Sequence, residues 1–164
     1  FTPTAKAESL ERLGLDDYKY ALFSDISGTP IKRRDIAEAI VNKLGGDYIL
    51  LIMSKVKPEM VPVYLIDCDF VLLTSDVEGS PNITREALSL NKRVFSVDVG
   101  DVKQQLEGLN NSVIVSRDPD EAGKVILQKL AEPYTDNTRE SLREKIDFEK
   151  IGSKLVDIYE SLLK

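Results

Sequence analysis

The stretch Phe70-Val71-Leu72-Leu73-Thr74-Ser75-Asp76-Val77-Glu78-Gly79-Ser80-Pro81-Asn82 decides the fold. Its first five residues show no polar alternation, the pattern of a strand buried on both faces inside a parallel sheet. Gly79, Ser80 and Pro81 then end the strand, and Ser80-Pro81 reads as a helix N-cap followed by a first helical residue. The central strand therefore hands the chain directly to a helix, expected at about Asn82–Leu90.

The same alternation extends to both sides. Short β-branched runs at Tyr18–Phe23, Tyr48–Met53, Arg93–Val97 and Ser112–Val115 are expected as strands. Helical periodicity falls at about Arg34–Leu44, Pro58–Ile66, Asp101–Leu106 and Pro119–Leu130, with an opening helix near Ala5–Leu13 and closing helices at Thr138–Lys145 and Phe148–Leu163. Five βα units predict an α/β, Rossmann-like three-layer α/β/α domain with a five-stranded parallel sheet. The last helix spaces Phe148, Ile151, Leu155, Ile158 and Leu162 by threes and fours, so one of its faces is apolar.

Composition narrows the function. The chain has 164 residues, 42% hydrophobic and 30% charged, which fits one folded domain over residues 1–164 and excludes disordered and fibrous classes. Twenty-eight acidic against 22 basic residues give a net charge of −6, so no nucleic-acid partner is expected. No histidine is present, which removes Ser-His-Asp, Cys-His and HExxH chemistry, and no metal site is expected. The single cysteine, Cys68, allows no internal disulfide and reads as a small core residue, in keeping with a cytoplasmic location. No run is long and apolar enough to span a membrane.

In an open parallel sheet ligands bind beyond the carboxyl ends of the strands, where the strand order reverses. With the order 2-1-3-4-5 that crevice lies between the loops Ser24–Lys32 and Ser75–Pro81. The first loop ends in Lys32-Arg33-Arg34 at a helix start, where cations oppose the helix dipole unless an anion joins them. On composition alone these cations read as a solvated cluster. The second loop brings a helix N-terminus, Gly79 and two glutamates, Glu78 and Glu86, to the same place. By themselves the glutamates read as surface charge.

The order of these pieces carries more. The segment Ser75-Asp76-Val77-Glu78-Gly79-Ser80-Pro81-Asn82, then Glu86-Ala87-Leu88 with Asn91-Lys92-Arg93-Val94, then Asp98-Val99-Gly100, resembles the EGxPN…EAxxxxxPVxxxDVG signature of family 4 glycosyltransferases. Glu78 and Glu86 enclose seven residues, as in that family's E-x7-E motif, and Val61 to Leu73 is similar to its PxYLxxxDVxLL segment. The resemblance implies the C-terminal, donor-binding half of a retaining GT-B enzyme, with Phe1-Thr2-Pro3 like the "FxP" interdomain connection and the helices at about 137–164 packing back toward an N-terminal acceptor domain.

It also implies roles. Glu78 would be the catalytic-side contact to the donor sugar, together with the amides of Gly79, Ser80, Pro81-linked backbone and Asn82 around the diphosphate. Glu86 would bind the ribose, and Lys32, with Arg33 as second candidate, would neutralise the diphosphate. The donor would be a UDP-, GDP- or ADP-sugar, with no further cofactor and no metal. Any peripheral membrane association would belong to the missing half. Ser24-Asp25 stands where the family carries Gly-Arg, an extra βα unit common after strand two is missing, and Gly100-Asp101 replaces Gly-Gly. A non-catalytic flavodoxin-like nucleotide-binding or regulatory module is the alternative, and a receiver-type signalling domain, loosely suggested by Asp25 and Asp76, is a third.

Overall fold

A computed structural model describes residues 11–16, 18–25, 28–134, 138, 142 and 148–162. Strands β1 (Lys19–Ser24), β2 (Tyr48–Met53), β3 (Phe70–Leu73), β4 (Arg93–Ser96) and β5 (Val113–Ile114) form one sheet in the order β2-β1-β3-β4-β5. Every pairing is parallel. The expected fold and strand order are therefore those observed.

The helices are α1 (Arg34–Leu44), α2 (Val61–Asp67), α3 (Asn82–Ser89), α4 (Val102–Leu106), α5 (Pro119–Ala131) and α6 (Phe148–Leu162). Alternation along the strands divides the core into two layers. Ala21, Phe23, Phe70, Leu72 and Phe95 face Ile36, Ile40 and Val41 of α1 and Ala122 and Ile126 of α5. Leu22, Met53, Val71, Leu73 and Val94 face Leu65 of α2, Ala87 and Leu88 of α3 and Val102 and Leu106 of α4. On the first face, Phe70 meets Phe95 edge-on with ring centroids 5.1 Å apart. There α1 and α5 approach closely, since a Cβ on Gly123 would come within 3.0 Å of the Lys43 Cβ.

Two expected elements differ in detail. The helix expected over Pro58–Ile66 is a 3-10 turn, Pro58–Met60, followed by α2. Pro62 lacks an N–H, and its ring would meet the carbonyl of residue 58 in a continuous α-helix, so the α-helix begins with Pro62 in its first turn. The opening helix is helical over residues 11–13, and the rest of it lies outside the described residues, as do Phe1-Thr2-Pro3 and most of Thr138–Lys145. Among the described residues no helix is long and apolar enough to cross a membrane. Cys68 is buried, hydrogen-bonded to the Leu65 carbonyl at 3.3 Å, and burial pushes its thiol up to about 12, as suits a core residue.

Candidate functional site

At the carboxyl ends of β1 and β3 lies an open groove of about 530 Å³, a size that accommodates a small organic ligand. Ser24 and Lys32 line it from the loop after β1, and Glu78, Ser80, Pro81, Asn82, Ile83 and Glu86 from the β3 loop and α3. Val56, Pro58 and Val61 form the third wall, after β2. Strand order places it: β1 and β3 are neighbours whose crossovers lead in opposite directions, and their loops diverge.

The β3 loop is tied to the β1 loop at several points. Asp76 N donates to the Ile31 carbonyl at 2.8 Å, and the buried Thr74 hydroxyl lies 3.0 and 2.8 Å from the carbonyls of Lys32 and Arg33. Lys32 Nζ stands 2.5 Å from Glu78 Oε1, which also accepts from the Ser75 hydroxyl at 2.7 Å. The predicted phosphate cation and the predicted sugar contact are thus in contact with one another. Glu86 is half-buried on the groove wall, and burial pushes its carboxyl above the usual glutamate range. It is not simple surface charge.

Arg33 takes a different place. Its backbone is left-handed, φ 52°, and its guanidinium pairs with Asp35 at 2.9 Å and Asp76 at 3.2 Å, outside the groove lining. Arg34 pairs with Glu38 at 2.7 Å. The three cations therefore part company, and only Lys32 faces the groove.

Ser80 is not the cap of α3. Pro81, extended at φ −68° and ψ 120°, holds the N-cap position, and the helix starts at Asn82 with no side-chain cap. The Ser80 hydroxyl donates instead to Asp101 Oδ2 at 2.6 Å. Asp101 also accepts from Gln105 at 2.6 Å and lies 3.6 Å from the Arg85 guanidinium, which contacts Ser80 Oγ and stands 3.4 Å from Asn82 Oδ1. Burial opposes the Asp101 charge, but the Ser80 and Gln105 hydrogen bonds and Arg85 outweigh it and hold its carboxyl below the usual range.

Gly79 lies within this loop, and a Cβ there would meet nothing within 4 Å. Its carbonyl accepts from Asp101 N at 3.1 Å, and a Cβ on Gly100, which has φ +55°, would come within 2.2 Å of that same oxygen. Gly100 is needed for both its dihedral and its space. Gly100 thus lets the Asp98–Asp101 turn lie directly against the Glu78–Ser80 loop, and Gly79 contributes only its carbonyl to that contact.

Sequence reasoning missed Arg117, which follows β5. It donates to the Thr74 and Ser75 carbonyls at 3.2 and 2.8 Å and pairs with Asp76 at 2.9 Å, so Asp76 bridges Arg33 and Arg117. A cation placed just past a strand on the ligand end of the sheet was the available signal. Asp25, at the end of β1, keeps Oδ1 buried with no hydrogen-bond partner among the described residues. No group of three or more His, Cys, Asp or Glu among the described residues is placed to hold a metal ion.

No known family profile and no curated protein matches the sequence. Solved structures do match its fold. Sucrose-phosphate synthase from Thermosynechococcus elongatus is 18% identical with a TM-score of 0.67, over 99% of this chain and 50% of its own. HepE from Anabaena, solved with UDP and glucose, is 15% identical with a TM-score of 0.73, over 98% of this chain and 53% of its own. The C-terminal domain of a glycosyl transferase group 1 family protein, LpcC from Francisella tularensis, is 14% identical with a TM-score of 0.61, over 88% of this chain and 94% of that domain. The chain thus spans about half of the first two proteins and nearly all of the isolated domain. Its fold is that of the C-terminal half of GT-B glycosyltransferases.

Proposed function

We propose that this chain is the donor-binding half of a retaining glycosyltransferase, which transfers a hexose from a nucleoside-diphosphate sugar to a glycan or lipid acceptor held by an N-terminal domain. The observation that carries the reading is the groove at the β1/β3 switch point, where Lys32, Glu78, Glu86 and the N-terminus of α3 converge. The solved complex of HepE with UDP and glucose supports the ligand class.

In this reading the base lies toward Val56, Pro58 and Val61, and Glu86 accepts a hydrogen bond from the ribose. The diphosphate meets Lys32 and the first amides of α3, whose dipole favours an anion. Glu78 changes partner on donor binding, leaving Lys32 to the phosphate and turning to the sugar. Charge that develops on the departing nucleoside diphosphate is then met by fixed donors rather than by water. The bond between the anomeric carbon and the β-phosphate oxygen breaks, the oxygen of the acceptor hydroxyl takes its place on the same face, and the hydroxyl proton passes to the departing diphosphate.

Titration of the 164-residue chain with UDP, GDP, ADP and their hexose conjugates, without metal and then with magnesium, tests this reading by calorimetry and amide shifts. One nucleotide is expected to bind without metal, perturbing amides near Lys32 and from Gly79 to Glu86. Glu86→Ala is expected to weaken that nucleotide by about tenfold. Unchanged affinity in Glu86→Ala would remove the ribose contact, and absence of binding at millimolar concentration would remove the donor site.

A further inference from the structure

The groove as lined carries one cation, Lys32, against two carboxylates, Glu78 and Glu86. Lys32 is already paired with Glu78 at 2.5 Å. A diphosphate entering this groove would meet a net negative wall, and α3 offers amides but no capping side chain. A second positive group is needed to balance the ligand's charge.

Arg85 is placed to supply it. It sits in the first turn of α3, where that helix has no acidic residue and where a cation is opposed by the helix dipole unless an anion accompanies it. Its guanidinium reaches back over the turn to Ser80 Oγ and Asn82 Oδ1, both groove-lining residues. Asp101, 3.6 Å away and carried by the next βα loop, is the anion that accompanies it now. Both side chains are about one-third exposed, so the pair opens at little cost.

Resting on the nucleotide-sugar reading above, we propose that Arg85 is a phosphate-binding residue of this site, exchanging the Asp101 carboxylate for a phosphate oxygen of a bound nucleoside diphosphate. The exchange conserves charge pairing and lets the planar guanidinium grip two phosphate oxygens through two of its N–H groups. Asp101 then acts as an internal competitor of the ligand. Its removal and the removal of Arg85 should move affinity in opposite directions, which no simple clamp between two loops would do.

The test is calorimetric titration of the wild-type chain, Arg85→Gln, Arg85→Lys and Asp101→Asn with UDP, GDP and ADP, and with the free nucleosides, with circular dichroism confirming each fold. Arg85→Gln is expected to lose about tenfold or more for the diphosphate and nothing for the nucleoside, with a shallower salt dependence. Arg85→Lys should lie between, and Asp101→Asn should tighten diphosphate binding by about threefold. Equal weakening by Arg85→Gln and Asp101→Asn would make the pair a loop clamp and overturn the assignment. So would unchanged diphosphate affinity in Arg85→Gln. Failure of the wild-type chain to bind any of the three diphosphates would overturn the donor-site reading itself, and the assignment of Arg85 with it.

Discussion

Glu86 holds a charge where burial penalises it. A carboxyl whose folded pKa lies above its unfolded value binds its proton more tightly in the folded chain. The resulting stability is present below about pH 4.3 and is lost as pH rises through the folded value. Glu86→Gln is therefore expected to raise the urea midpoint at neutral pH, with the gain closing as pH falls toward the ordinary glutamate value. An equal or lower midpoint at neutral pH would show that Glu86 is not strained by its site. Lys32 and Glu78 make a different case, because each is the other's main partner and their side chains are only 26% and 14% exposed. Lys32→Ala leaves Glu78 with the Ser75 hydroxyl and is expected to cost about 1–3 kcal/mol. Adding Glu78→Gln should recover part of that loss, and a double-mutant cycle by urea denaturation with coupling under about 0.5 kcal/mol would show the pair to be independent.

At the scale of elements, α5 and α3 start in opposite ways. Asp118 Oδ1 accepts from Asp120 N and Glu121 N at 3.0 and 2.9 Å, whereas α3 begins without a side-chain cap. Asp118→Ala is expected to cost about 1 kcal/mol, read as a lower urea midpoint with unchanged slope. A loss under a few tenths would mean that the first amides of α5 are satisfied otherwise. The contrast also shows what was legible in the sequence. β2 and α1 fall at the expected residues because an apolar run and a 3.6-residue period are local signals, bounded here by Gly45-Gly46. The place of the groove followed from strand order, itself a consequence of the βα repeat. Ser80 misled because its hydroxyl is claimed by Asp101, which arrives from another loop. Arg33 diverged from Lys32 because its left-handed backbone turns it to Asp35 and Asp76. Arg117 went unread because its partners are two carbonyls and a carboxylate at the end of β3, a juxtaposition created only by the sheet.

At the scale of the whole molecule, α6 presents Leu155, Val156, Ile158, Tyr159 and Leu162, each about half exposed or more. Leu155→Ser and Ile158→Ser are expected to shift stability by less than about 0.5 kcal/mol in thermal or urea unfolding of this chain. A loss of about 2 kcal/mol or more from either would show that this face is covered in solution. The sheet has a further consequence, for how the protein is made. β1 pairs with β2 along all of Lys19 to Ser24 but with β3 only at Ala21 and Leu22. During synthesis the β1–α1–β2 unit can close once Met53 has left the ribosome, while the other edge of β1, with its apolar Tyr20-Ala21-Leu22-Phe23, waits for Phe70 and Val71. Until then that edge is an open template for any passing strand. Once β3 has emerged the open edge passes to it, since Phe70 to Leu73 then wait for Arg93 to Ser96, so a nascent chain carries an unpaired apolar edge from the emergence of β2 until that of β4.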